Sequence, residues 1–297
     1  MTVWKIQPEM TQEISEEKFK KLLKGIQIPP QPQIMVDLQM EMQMSDASID
    51  NLSVIISKDI GMSGFVLKVV NSPFFGLRNK ITSIKQALSL LGVPNIVNIA
   101  NSMSIRNSLS DNSIMQLTSF WDNATDTAMI AAAVAKMLGI STIDEAYTLG
   151  LFHNAGIPLL LSKFERYPQI LKLSYVEQNR RITDIENDHI DCNHAVVGYY
   201  VAKTWKLPSY LSEAIADHHK TEDVFSDKVS CEKKKKNLLA ALKLAETISG
   251  TFQTLGDETE DYEFQRIKSN LLQYVGLSDY DFEELYDEIK EMGLVHN

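Results

Sequence analysis

One histidine stands inside an apolar segment with an asparagine beside it: Gly150-Leu151-Phe152-His153-Asn154-Ala155-Gly156-Ile157-Pro158. An imidazole nitrogen next to a carboxylate would suit one divalent ion. Here an amide stands where the carboxylate would be. Its oxygen is neutral and its NH₂ group repels a cation. The segment reads as metal-ligand chemistry with its charged half removed.

Other residues can join such a site. With His153 they come from four separate helices: His194 on one, His218 with His219 beside it on another and Glu246 on a third, with His194 and His218 on inward faces. Inward side chains from facing helices build sites in α proteins. Taken singly, each histidine is more often a satisfied core residue than a ligand, so spacing alone supports a buried polar cluster. His189, in Asn187-Asp188-His189, is read as loop, and His296 lies at the terminus. No phosphate-binding glycine loop, HExxH or GxSxG is present.

The elements that must position these residues are helices. No run of strict alternation and no NG or DG turn is found. Ser15-Glu16-Glu17 opens a short helix ending near Gly25. Ile28-Pro29-Pro30-Gln31-Pro32 is held extended by its prolines. A Met-rich helix over about 33–44 (Met35, Met40, Met42, Met44) is expected to fill core. Ser48 and Ser83 are expected N-caps, the latter with Gln86 reaching back to the Ser83 amide. After a break at Asp111-Asn112-Ser113, a helix over about 119–138 is apolar all round from Ala128 to Ala135, and so central. Helices are expected over Asp191–Lys206 and Asn237–Thr251, with Thr221–Lys236, including four consecutive lysines, as a solvated loop. Ser278 caps the last of two acidic amphipathic helices.

The chain has 297 residues, 44% of them hydrophobic, enough for one large domain or two smaller ones. A net charge of −10 opposes nucleic-acid binding, which needs a basic face. No membrane span or signal peptide is expected. Two cysteines, Cys192 and Cys231, make no disulfide scaffold, so a reduced, cytoplasmic setting is expected.

Several segments in order resemble HDOD domains: Ile28-Pro29-Pro30-Gln31-Pro32, Lys58-Asp59-Ile60-Gly61, Val70-Asn71-Ser72-Pro73-Phe74-Phe75-Gly76, and Leu90-Leu91-Gly92. Phe120-Trp121, Gly150-Leu151-Phe152-His153, His194-Ala195-Val196-Val197-Gly198, Trp205-Lys206-Leu207-Pro208 and His218-His219 continue the resemblance. It implies a two-lobed all-α fold: an extension over 1–25, then an HDOD domain over 26–225. That domain divides into an N-terminal lobe (26–110) and a degenerate HD-like lobe (111–225). C-terminal helices over 226–297 follow, the first (237–251) completing the bundle.

Set against HD and HD-GYP phosphohydrolases, the resemblance puts Asn123 and Asn154 at lost ligand positions. His153, His194, His218, His219 and Glu246 stand at retained ones. Two-metal hydrolysis needs a bridging carboxylate, so no catalytic residue is assigned and no cofactor is expected. The ions the histidines would take are Fe, Mn, Ni or Zn. The implied function is a non-catalytic bacterial signalling output that contacts other signalling proteins, in motility or cyclic-di-GMP pathways. The alternatives are a residual phosphohydrolase acting on a nucleotide or cyclic dinucleotide, and a sensor that binds such a nucleotide without cleaving it.

Overall fold

The computed structural model describes residues 26, 28–71, 75–109, 116–141 and 143–295. Every regular element among them is a helix. The helix expected over 15–25, the break at 111–113 and His296 lie outside the described residues.

Five helices form the N-terminal lobe: α1 (Gln33–Gln43), α2 (Ile49–Ser57), α3 (Ile60–Val70), α4 (Ile84–Leu91) and α5 (Val93–Leu109). Each start carries a local reason. Ser48 Oγ accepts from the Asn51 amide at 3.1 Å, Asp59 from Met62 at 3.0 Å, and Ser83 from Gln86 at 3.2 Å. The reciprocal arm at Ser83 differs from expectation: Gln86 Oε1 accepts from Thr82, one residue further out. Asn71 closes the lobe from inside. Its side chain donates to Leu67 O and Ile81 O and accepts from the Ile81 amide.

The Met-rich helix is only partly core. Met35, Leu38 and Glu41 share its buried face, whereas Met40, Met42 and Met44 are exposed. Glu41 takes the inward position because its carboxylate accepts from the Ser48 amide.

The second lobe is built on α6 (Gln116–Leu138). Ala128 to Ala135 are all buried, as a helix apolar on every side requires. Against it lie α7 (Ile143–Phe152) and the long α14 (Lys233–Ser249). Between them in the chain come α8 (Gly156–Lys163), α9 (Tyr167–Val176), α10 (Ile182–Ile190), α11 (His194–Thr204), α12 (Ser209–Asp217) and the single turn α13 (Thr221–Phe225). The chain then runs through α15 (Thr251–Gly256), α16 (Tyr262–Val275) and α17 (Asp279–Glu291), the last with a Ser278–Asp281 capping box. One hydrophobic core runs through both lobes. The Trp205 indole N–H bonds Pro29 O at 2.9 Å, tying the proline segment to the second lobe.

The lysine run is not a solvated loop. It forms the first turn of α14, and Lys235 and Lys236 are buried. Lys234 pairs with Glu145 at 2.8 Å, Lys235 with Asp217 at 2.6 Å and Lys236 with Asp227 at 2.6 Å. Lys234 and Lys236 also lie over the rings of Tyr210 and Tyr274. Long aliphatic stems let such residues cover apolar surface while their heads find partners. Thr221–Phe225 is helical as well. His189, read as loop, sits in the last turn of α10. The helix expected from Asp191 starts at His194, with Asn193 as its cap, because Asp191 adopts a left-handed conformation (φ 54°) that ends α10.

Candidate metal centre

His153 follows the last turn of α7, where its amide still bonds Leu149 O at 2.9 Å. Its Nδ1 meets Gly150 O at 2.6 Å. A carbonyl only accepts, so Nδ1 carries the proton and Nε2 presents a lone pair. That lone pair faces Glu246 Oε1 at 3.3 Å.

His194 opens α11. Glu186, fully buried on α10, accepts from its Nδ1 at 2.8 and 2.9 Å and from its backbone amide at 3.2 Å. The left-handed turn at Asp191 and the Asn193–Asn187 side-chain bond (2.9 Å) fold α10 back so that Glu186 can reach. Tyr167 donates a further bond to Glu186. His218 and His219 come from the turn after α12, not from a helix face. His218 Nδ1 donates to Ile215 O at 2.7 Å, and His219 Nδ1 to Glu263 at 2.8 and 2.9 Å.

Three imidazoles are therefore oriented alike. Each spends Nδ1–H on an outer acceptor and turns Nε2 inward. The Nε2 atom of His194 lies 3.2 Å from that of His218 and 3.0 Å from that of His219. Burial, and then the neighbouring imidazoles and Lys243, hold His218 and His219 well below the ordinary histidine pKa. Both are neutral at pH 7, and their lone pairs are free. Converging lone pairs repel one another unless a cation lies among them. Outer carboxylates and carbonyls that fix the ring tautomer are what metal-bound histidines have. The residues present thus fit one divalent ion held by His194, His218 and His219. An all-imidazole set suits Zn, Fe, Ni or Cu better than Mg or Ca.

The remaining predicted residues sit differently. Glu246 faces His153 on one side and Lys243 on the other, with Lys243 Nζ at 2.8 Å. Burial pushes the Glu246 carboxyl up, but the Lys243 ammonium pulls it well below the usual carboxylate range. Lys243 also pairs with Glu263 at 2.9 Å, and these two carboxylates outweigh its own burial and hold it charged. Asn154 is buried, and its Oδ1 has no hydrogen-bond partner. Asn123 is drawn elsewhere: it donates to Ser249 O at 3.4 Å and accepts from Thr251 at 3.2 Å, stitching α6 to the α14–α15 junction.

Close backbone packing brings the segments together. A Cβ on Gly156 would lie 2.2 Å from the His194 carbonyl oxygen, so only glycine lets α8 approach α11 this closely.

Glu186, Glu263 and Lys243 were not found by sequence reasoning. A lone carboxylate on an amphipathic helix carries no local signal. Lys243 did carry one, as the single charge within Leu238-Leu239-Ala240-Ala241-Leu242-Lys243-Leu244-Ala245.

Comparison with known proteins agrees with this architecture. The HDOD domain family matches residues 28–221. An uncharacterized protein of Treponema pallidum (strain Nichols) is 30% identical over 198 residues, which cover 65% of this chain and 37% of that protein. This chain therefore spans little more than a third of that relative's length. An HDOD domain protein of unknown function from Geobacter sulfurreducens superposes with a TM-score of 0.68 at 20% identity, covering 92% of each chain. A protein of Shewanella amazonensis SB2B, whose name assigns it provisionally to the metal-dependent phosphohydrolases, superposes with a TM-score of 0.64 at 19% identity, covering 93% of this chain and 96% of its own. The helical fold is shared with both structures, and by the match over 28–221 the chain belongs to the HDOD domain family.

Proposed function

We propose that this chain is a non-catalytic signalling module that works by contact with partner proteins in the bacterial cytoplasm, in motility or cyclic-di-GMP-linked control. One observation carries the reading. The position beside His153 holds the neutral amide of Asn154, and the nearby Glu246 carboxylate is spent on Lys243. Among the described residues, the other two carboxylates at the cluster, Glu186 and Glu263, are engaged by His194 and by His219 with Lys243, which leaves none placed to bridge two ions and activate a water between them. In support, no helix among the described residues is long and apolar enough to cross a membrane. The test is hydrolysis of cyclic di-GMP, nucleotides and an artificial phosphodiester, with Mn²⁺ or Fe²⁺ supplied. The expected result is no turnover above buffer. Turnover that disappears in His194→Ala would overturn the reading.

The convergence of three Nε2 atoms favours one second reading, a residual metal-dependent phosphohydrolase acting on a nucleotide. An ion held there would supply Lewis-acid polarisation of a phosphoryl oxygen. Of the chain's own residues, Glu186 and Glu263 orient the imidazoles and hold their protons on Nδ1. A nucleotide bound without cleavage is tested by calorimetry with cyclic dinucleotides, and the absence of heat at millimolar ligand removes that role.

A further inference from the structure

The cluster has two unlike cationic positions. One is the space between the Nε2 atoms of His194, His218 and His219. The other is already filled by a side chain. Lys243 is 3% exposed, and its ammonium lies 2.8 Å from Glu246 Oε2 and 2.9 Å from Glu263 Oε2. Glu263 shares its oxygens with His219, so this ammonium sits one carboxylate away from the three imidazoles. On its far side, Glu246 Oε1 faces the Nε2 lone pair of His153 at 3.3 Å. One imidazole and two carboxylates are donors that a divalent ion accepts readily. An ammonium among them satisfies the carboxylates and repels any ion that would come to the same place.

We propose that Lys243 is a tethered cation that holds this centre to a single metal ion, its ammonium taking the place beside Glu246 and Glu263 that a second divalent ion would otherwise fill. The proposal rests on reading the three-histidine set as the seat of the first ion. Charge balance supports it. Three buried or nearly buried carboxylates touch the cluster: Glu186, Glu246 and Glu263. Lys243 offsets one negative charge, and one divalent ion offsets the other two. A second ion added beside Lys243 would leave the interior with two uncompensated positive charges, which low-dielectric surroundings oppose. The helix itself sets the arrangement. Lys243 and Glu246 are three residues apart on α14 and so lie on one face.

The experiment is metal content per chain after loading with excess Mn²⁺ and desalting, with Lys243→Met measured against its parent. The expected result is a gain of one ion in Lys243→Met and none in Lys243→Arg, which keeps the charge. Repeating the pair in a chain carrying His194→Ala, His218→Ala and His219→Ala separates the two readings. A gain of one ion there, with the parent empty, supports the role of Lys243 whatever the fate of the triad. No gain in either background overturns it. An unaltered chain that carries no ion removes the triad reading alone. If thermal melts show that Lys243→Met does not fold, the unaltered chain decides. Titrated to millimolar Mn²⁺, it should give the paramagnetic resonance spectrum of isolated ions, and an exchange-coupled pair would overturn the proposal.

Discussion

The two halves of the cluster handle the same problem, buried polar groups in an apolar interior, in opposite ways. The half made by His194, His218 and His219 has its Nδ1 protons fixed outward and its lone pairs unanswered at the centre. The half made by His153, Asn154 and Glu246 is answered from within, by Lys243 and by Gly150 O. The first half has the donors to hold an ion brought from outside the chain. The second is closer to a finished internal salt bridge, with Asn154 Oδ1 and His153 Nε2 as its loose ends. The comparison teaches that identical residue types, histidine and glutamate, can be a binding site or a structural plug. Which one depends on whether a lysine three residues away faces the same space.

The largest effect expected is on Glu186. It accepts from Tyr167 and twice from His194, with no solvent contact. Glu186→Ala strands these donors and should lower stability by about 3–5 kcal/mol, the usual cost of breaking a buried pair. Chemical denaturation measures it. A loss under about 1 kcal/mol would mean that the three-histidine half is not held from outside as described.

Acid should come next and act on the open half. His218 and His219 have folded pKa values well below the ordinary one, so they bind protons more readily when unfolded. Their contribution is fully present above the unfolded pKa of about 6.5 and is lost as pH falls below it. The loss amounts to about 3 kcal/mol for the two at pH 5.5. Thermal melts of metal-free protein between pH 7.5 and 5.5 check the sign, and bound Zn²⁺ should blunt the fall. Glu263→Gln, which weakens the outer partner of His219, should reduce Zn²⁺ affinity about 10- to 100-fold in competition with a chelating dye. The smallest effect should be Lys172→Ala. Its pair with Asp257 is exposed, and denaturation should move by under about 0.5 kcal/mol.

What the sequence made legible was local. The helical period, the caps at Ser48, Ser83 and Ser278, and the buried alanine run of α6 each depend on neighbours within a few residues. The histidines were legible by type and by their apolar surroundings. Their partners were not. Glu263 meets His219 from 44 residues away, and Asp217 meets Lys235 from 18. A lysine run whose counter-charges lie that far off looks solvated until the chain is folded. Met40 and Met42 were misread for a related reason: on α1, Glu41 took an inward place that its charge disguised.

The position of α14 has a consequence for how the protein is made. The family match ends at residue 221, yet residues 233–249 supply a helix that fills the middle of the second lobe, with Leu238, Leu239, Leu242 and Leu244 wholly or almost wholly buried. Until that helix leaves the ribosome, α6 and α7 stand with an apolar face uncovered. Synthesis at about 5–20 residues per second sets the length of that exposure. A chain cut at the boundary of its recognised domain would keep the exposed face for its whole life and should be captured by chaperones or aggregate.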